Sequence, residues 1–100
     1  MRPNRSVRVP LMTRDKILEL RDIRLALEGL ATEKAAALAT REDAAALRRI
    51  AAELMAVRTR GDTVADRRKI REFHFTLYAI ASQPTLLRMI ESLWLQTGPY

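Results

Sequence analysis

The chain has 100 residues, 48% of them hydrophobic and 30% charged, with 18 basic and 12 acidic side chains, a net charge of +6 and no cysteine. That length suits one small domain, and the lack of thiols excludes a disulfide-stapled module and any Cys-ligated zinc or iron–sulfur site. No apolar run approaches the roughly 18 residues that cross a bilayer, and the first dozen residues lack the apolar block of a secretion signal, so a cytoplasmic chain without a membrane partner is expected.

Arg2, Arg5, Arg8 and Arg14 fall in the first 14 residues with no acid among them, so most of the basic excess is N-terminal. Val7 and Val9 alternate with Ser6 and Arg8 ahead of Pro10. Proline biases its predecessor away from the helical region, so residues 1–12 are expected to form an extended arm. Its arginines suit non-specific, salt-sensitive contact with nucleic-acid phosphates.

A helical domain is expected over 13–100. Thr13 can cap a first helix with Asp15 in its first turn, and apolar residues recur at Ile17, Leu20, Ile23 or Arg24, Leu27, Leu30 and Ala31. The pattern runs to Leu38, with Gly29 expected to mark a bend or a close crossing. Thr40 and Asp43 have the spacing of a reciprocal cap for a second helix, whose apolar stripe uses Ala46, Leu47, Ile50, Leu54 and Val57. Gly61 suits a C-terminal stop, and Asp62 or Thr63 opens a third helix carrying Val64, Ile70, Phe73, His74, Leu77, Tyr78 and Ala81. Pro84 suits the first position of a fourth, which buries Leu86 or Leu87, Ile90, Leu93 and Trp94.

No second alternating run occurs, so the expected fold is all-α: an antiparallel bundle of about four helices joined by short links. Phe73, Phe75 and Trp94 read as packing residues. A chain this short hides only about 60–65% of its extended surface, which favours a homodimer. No phosphate loop, Gly-x-Ser-x-Gly or pair of histidines one turn apart is present, so an enzyme is not expected. His74 is the sole imidazole, and a single histidine on a helix face is ordinarily a hydrogen-bonded structural residue.

Three segments together resemble one family. Arg71-Glu72-Phe73-His74-Phe75-Thr76-Leu77-Tyr78 leads into Ala81-Ser82-Gln83-Pro84-Thr85-Leu86-Leu87 and Ile90-Glu91-Ser92-Leu93-Trp94. Upstream stand Leu20-Arg21-Asp22-Ile23-Arg24 with Leu27-Glu28-Gly29-Leu30-Ala31, then Thr40-Arg41-Glu42-Asp43 with Leu47. In this order they resemble the FadR/FCD-type C-terminal effector-binding domain of GntR-family transcription regulators. Arg5-Ser6-Val7-Arg8-Val9, after Pro3 and Asn4, resembles the end of that family's winged-helix wing, with Ser6 where glycine is usual.

The resemblance implies a regulator fragment that lacks its helix-turn-helix and rear helices, senses a small organic acid, dimerises, and reads DNA only in an intact form. It places Arg24 and His74 at the effector cavity, where a guanidinium can grip a carboxylate. The residues alone equally give Arg24 an ordinary ion pair with Glu28 one turn on. Intact relatives hold a divalent metal such as zinc or nickel through a ligand four residues before the first histidine and two later histidines. Ile70 stands at that position, so His74 is expected to be a vestigial ligand and the chain to hold no cofactor of its own. Two other readings fit the helices: a small dimeric enzyme of chorismate-mutase type using Arg24, and a bare helical interaction module.

Overall fold

The computed structural model describes residues 12–98. The expected wing remnant, with Arg2, Arg5, Arg8, Val7 and Val9, lies outside the described residues.

Local signals in the sequence set the helix boundaries. The Thr13 hydroxyl accepts from the Lys16 amide and opens α1 (Arg14–Leu38). Thr40 and Asp43 form a reciprocal cap, each side chain accepting from the other's backbone N–H at 3.1 and 2.9 Å, and start α2 (Arg41–Arg60). Gly61 ends α2 at φ 75, a left-handed conformation that glycine adopts without steric cost. Asp62 caps α3 (Thr63–Ile80), and Pro84 is the first residue of α4 (Pro84–Thr97).

The four helices form an all-α bundle, and no strand occurs among the described residues. α3 is its spine, touching each of the other helices; α1 also packs on α4, while α2 rests on α3 alone. The short link through Ala39 and Thr40 therefore does not fold α2 back onto α1. Both lean on α3, and the molecule extends 54 × 34 × 27 Å.

The core is built where α1, α3 and α4 meet, from Ala31, Tyr78, Leu86, Ile90 and Trp94, with Leu27, Ile70, Phe75, Leu77 and Leu87 packed around them. Phe75 meets Trp94 edge-on at 5.1 Å between ring centroids, in keeping with a packing role. A second contact zone joins α2 to α3, where Ile50 and Val57 are buried. Lys69 ties the two helices on the outside through Glu53 at 2.7 Å and also holds Glu72 of its own helix at 3.0 Å.

Part of the expected apolar pattern needs correction. Ile17, Ile23 and Leu30 are exposed, because the apolar arc of α1 is wider than the strip that α3 and α4 cover. Val64 is exposed as well, in the first turn of α3. Of the alternatives Ile23 and Arg24, Arg24 enters the buried strip, in register with Leu20, Ala31 and Ala35.

Gly29 marks neither a bend nor a close crossing. α1 runs through it unbroken, and a Cβ added there would meet nothing within 4 Å. Gly29→Ala is thus expected to stabilise the protein by about 0.5–1 kcal/mol, the helix-propensity difference. A thermal midpoint that failed to rise would contradict this.

Candidate functional site

Spacings of four, three and four put residues 24, 28, 31 and 35 along one face of α1. Two of these are alanines, and the other two are an oppositely charged pair. Arg24 Nε donates to Glu28 Oε2 at 2.5 Å, and the two side chains are only 10% and 15% exposed.

Buried charge persists only where its remaining hydrogen-bonding capacity is met. Here the partners come from three helices. Tyr78 Oη of α3 donates to Glu28 Oε1 at 2.6 Å, and Trp94 Nε1 of α4 donates to Glu28 Oε2 at 3.1 Å. Arg24 Nη1 donates to the Thr97 hydroxyl at 2.8 Å and to the Gly98 carbonyl at 2.9 Å, at the end of α4. Its guanidinium also lies 4.6 Å from the centre of the Trp94 ring, a cation–π distance.

Burial raises the Glu28 carboxyl, but the hydrogen bonds from Arg24 and Tyr78, the Arg24 charge and the Trp94 indole outweigh it, so the group is held below its ordinary range. Tyr78 moves the other way: burial, then the hydrogen bond to Glu28 and that carboxylate's charge, push its phenol upward and keep it protonated as a donor. No buried side-chain nitrogen or oxygen among the described residues lacks a partner.

A cavity of about 690 Å³ lies against this cluster. Arg24, Glu28 and Tyr78 line its inner side, while Ile17, Arg21, Leu25, Gly29 and Thr32 run along α1 at intervals near one helical turn. Met12, Gln96 and Thr97 complete it. Its size is that of a small-molecule pocket with mostly apolar walls.

Arg24 lines this cavity and makes the ion pair with Glu28, and it is committed to four groups of its own chain. That exceeds the isolated i, i+4 pair the sequence suggests. His74 does not line the cavity. Its ring is half-buried among Phe73, Tyr78 and Trp94, and Nδ1 donates to the Ile70 carbonyl at 2.7 Å.

The residues present do not fit a metal site. Ile70 offers a backbone oxygen already used by His74, and Asp66 is drawn off to Arg58 at 2.9 Å. Among the described residues no three His, Asp or Glu side chains gather.

The partners that sequence reasoning missed are Glu28 as the shared acceptor, and Tyr78 and Trp94 as donors. A signal existed for each. Glu28 follows Arg24 by one turn in the buried register, and a core tyrosine or tryptophan ordinarily finds a polar partner for its O–H or N–H.

Comparison with known proteins adds the lineage. The sequence profile of the FCD domain matches residues 19–100. The chain belongs to the FCD domain family. The match agrees with the resemblance read from its helices. The chain is 30% identical over 97 residues to the HTH-type transcriptional regulator McbR of Escherichia coli (strain K12), covering 97% of this chain and 44% of that relative. The FCD chain thus spans less than half the length of that relative. No solved structure matches it significantly, and no helix among the described residues is long and apolar enough to cross a membrane.

Proposed function

We propose that this FCD chain is the ligand-sensing and dimerisation part of a GntR-type transcription regulator, a binding element and not a catalyst. The observation that carries this reading is the 690 Å³ cavity set against a hydrogen-bonded cluster that joins α1, α3 and α4. A small organic acid held there touches groups that fix three helices relative to one another, so binding biases their packing. In a form of the protein with a DNA reader, that bias changes how two readers are presented to a two-fold operator.

Exposed Ile23 and Leu30, on the flank of α1 away from the cavity, support a homodimer, which sedimentation equilibrium measures. Arg2, Arg5 and Arg8 support non-specific phosphate contact, whose affinity falls steeply with salt. His74 acts as a structural residue in place of a lost ligand, and the chain binds no metal tightly. Elemental analysis of untagged protein that found one zinc or nickel per chain would refute that.

The deciding experiment is a thermal-shift screen of the full chain against small organic acids. A ligand at 100 times its Kd adds about 2.7 kcal/mol, and each kcal/mol raises the midpoint of a domain this size by about 4–8 °C. A panel of mono-, di- and tricarboxylates in which none moves the midpoint would remove the reading.

A further inference from the structure

We propose that the α1 cavity takes an amphipathic monoanion, its acid head on Arg21 and its apolar tail along Leu25 and Gly29. The inference rests on the ligand-sensing reading above and names the chemical class of ligand for that site.

Charge is the first argument. Three charged side chains line the cavity: Arg21, Arg24 and Glu28. Arg24 and Glu28 neutralise each other, and both are further occupied by Thr97, Gly98, Tyr78 and Trp94. Arg21 is exposed and has no ion pair among the described residues. The wall thus presents one uncompensated positive charge, enough for one carboxylate in a two-pronged hydrogen bond. The wall offers no second uncompensated cation to another carboxylate on the same ligand.

Shape is the second. Ile17 and Leu25 stand one turn either side of Arg21, and both are exposed, Leu25 at 66%. Beyond Leu25 the wall is Gly29, where the space is open: a Cβ added there would meet nothing within 4 Å. About 12 Å of helix axis separates Arg21 from Gly29, room for a medium-length hydrocarbon tail. Apolar residues left this exposed gain from being covered by apolar matter.

Trp94 is the only tryptophan in the chain and sits against Arg24 and Glu28, which line the cavity, so its fluorescence reports occupancy without a label. The test titrates the full chain with octanoate, octanol and succinate, following Trp94 emission and calorimetric heat. Octanoate is expected to bind at least tenfold more tightly than either of the others. Arg21→Gln should weaken octanoate at least tenfold while leaving octanol unchanged. Gly29→Phe, which sets a ring on the cavity wall at a position where a side chain meets no neighbour, should abolish octanoate binding while the helical circular dichroism stays intact.

Equal binding of octanol and octanoate, or indifference to Arg21→Gln, overturns the head-group assignment. Binding of succinate without octanoate overturns the proposed class while leaving the ligand-sensing function standing; failure of every acid removes both. If sedimentation shows a dimer that Gly29→Phe converts to a monomer, the cavity belongs to a second copy of the chain and the proposal falls.

Discussion

Glu28→Ala is expected to lower folding stability by about 3–5 kcal/mol, the cost of stranding a buried partner charge. Glu28 accepts from Arg24, Tyr78 and Trp94, so alanine orphans three donors at once, one of them a guanidinium only 10% exposed. Against a total of about 5–15 kcal/mol for a domain, that is a large fraction. Urea denaturation followed by far-UV circular dichroism measures it. Arg24→Ala should cost a comparable amount, and the double variant less than the sum by about 1–3 kcal/mol, because the two side chains share one network. Additive losses would show that they act independently.

The same residue gives the protein an acid limb. Because the folded-state carboxyl of Glu28 is held below its ordinary range, the stability it contributes is fully present above the unfolded value, near pH 4.3. It is lost as the pH falls through the lower folded value. Wild type should therefore lose stability below about pH 4 more steeply than Glu28→Ala. Parallel acid curves for the two proteins would refute this assignment.

The second large effect comes from the core. Ile50 and Ile90 are the largest fully buried side chains, at 1% and 0% exposure. Truncating either to alanine should cost about 2–5 kcal/mol through lost transfer energy and the cavity left behind. The consequences differ in kind. Ile90 packs in the cluster shared by α1, α3 and α4, so its loss should lower amide protection throughout those helices. Ile50 belongs to α2, which rests on α3 alone. Ile50→Ala should release α2 first, seen as hydrogen exchange that accelerates over 41–60 before the rest. Uniform acceleration in both variants would mean that the four helices open as one unit.

The helices were legible because their ends are written in short-range chemistry: Thr13, the Thr40–Asp43 pair, Gly61, Asp62 and Pro84 each act within a few residues of where they stand. The buried face of α4 was legible for a related reason, since Leu86, Ile90, Leu93 and Trp94 recur at helical spacing, while Met89 and Leu95 lie off that face and are exposed. α1 was not, because apolar side chains spread around most of it and periodicity cannot say which of them a neighbour covers. Arg24 is the clearest case. Its burial is decided by Trp94, Thr97 and Gly98, some seventy positions away, and a local pattern carries no record of them. The cavity was hidden for the same reason. Arg24 drew attention through family resemblance, whereas Arg21, the cation with no ion pair on the cavity wall, had no motif to mark it.

The way the helices share α3 also fixes an order of events. Contacts between α2 and α3 are local in sequence, whereas α1 meets α4 only after the chain between Leu38 and Pro84 has been brought round. Closing so long a segment costs entropy before any contact repays it. The α2–α3 hairpin is therefore expected to nucleate folding, and the docking of α1 on α4, with the Arg24–Glu28 cluster, to complete it. In kinetic terms Glu28→Ala should quicken unfolding and hardly slow refolding, while Ile50→Ala should retard refolding; the two arms of a chevron plot separate these. The part of the molecule proposed to meet a ligand is then the last to assemble and the first to come undone, so an effector bound there would act as a brake on unfolding.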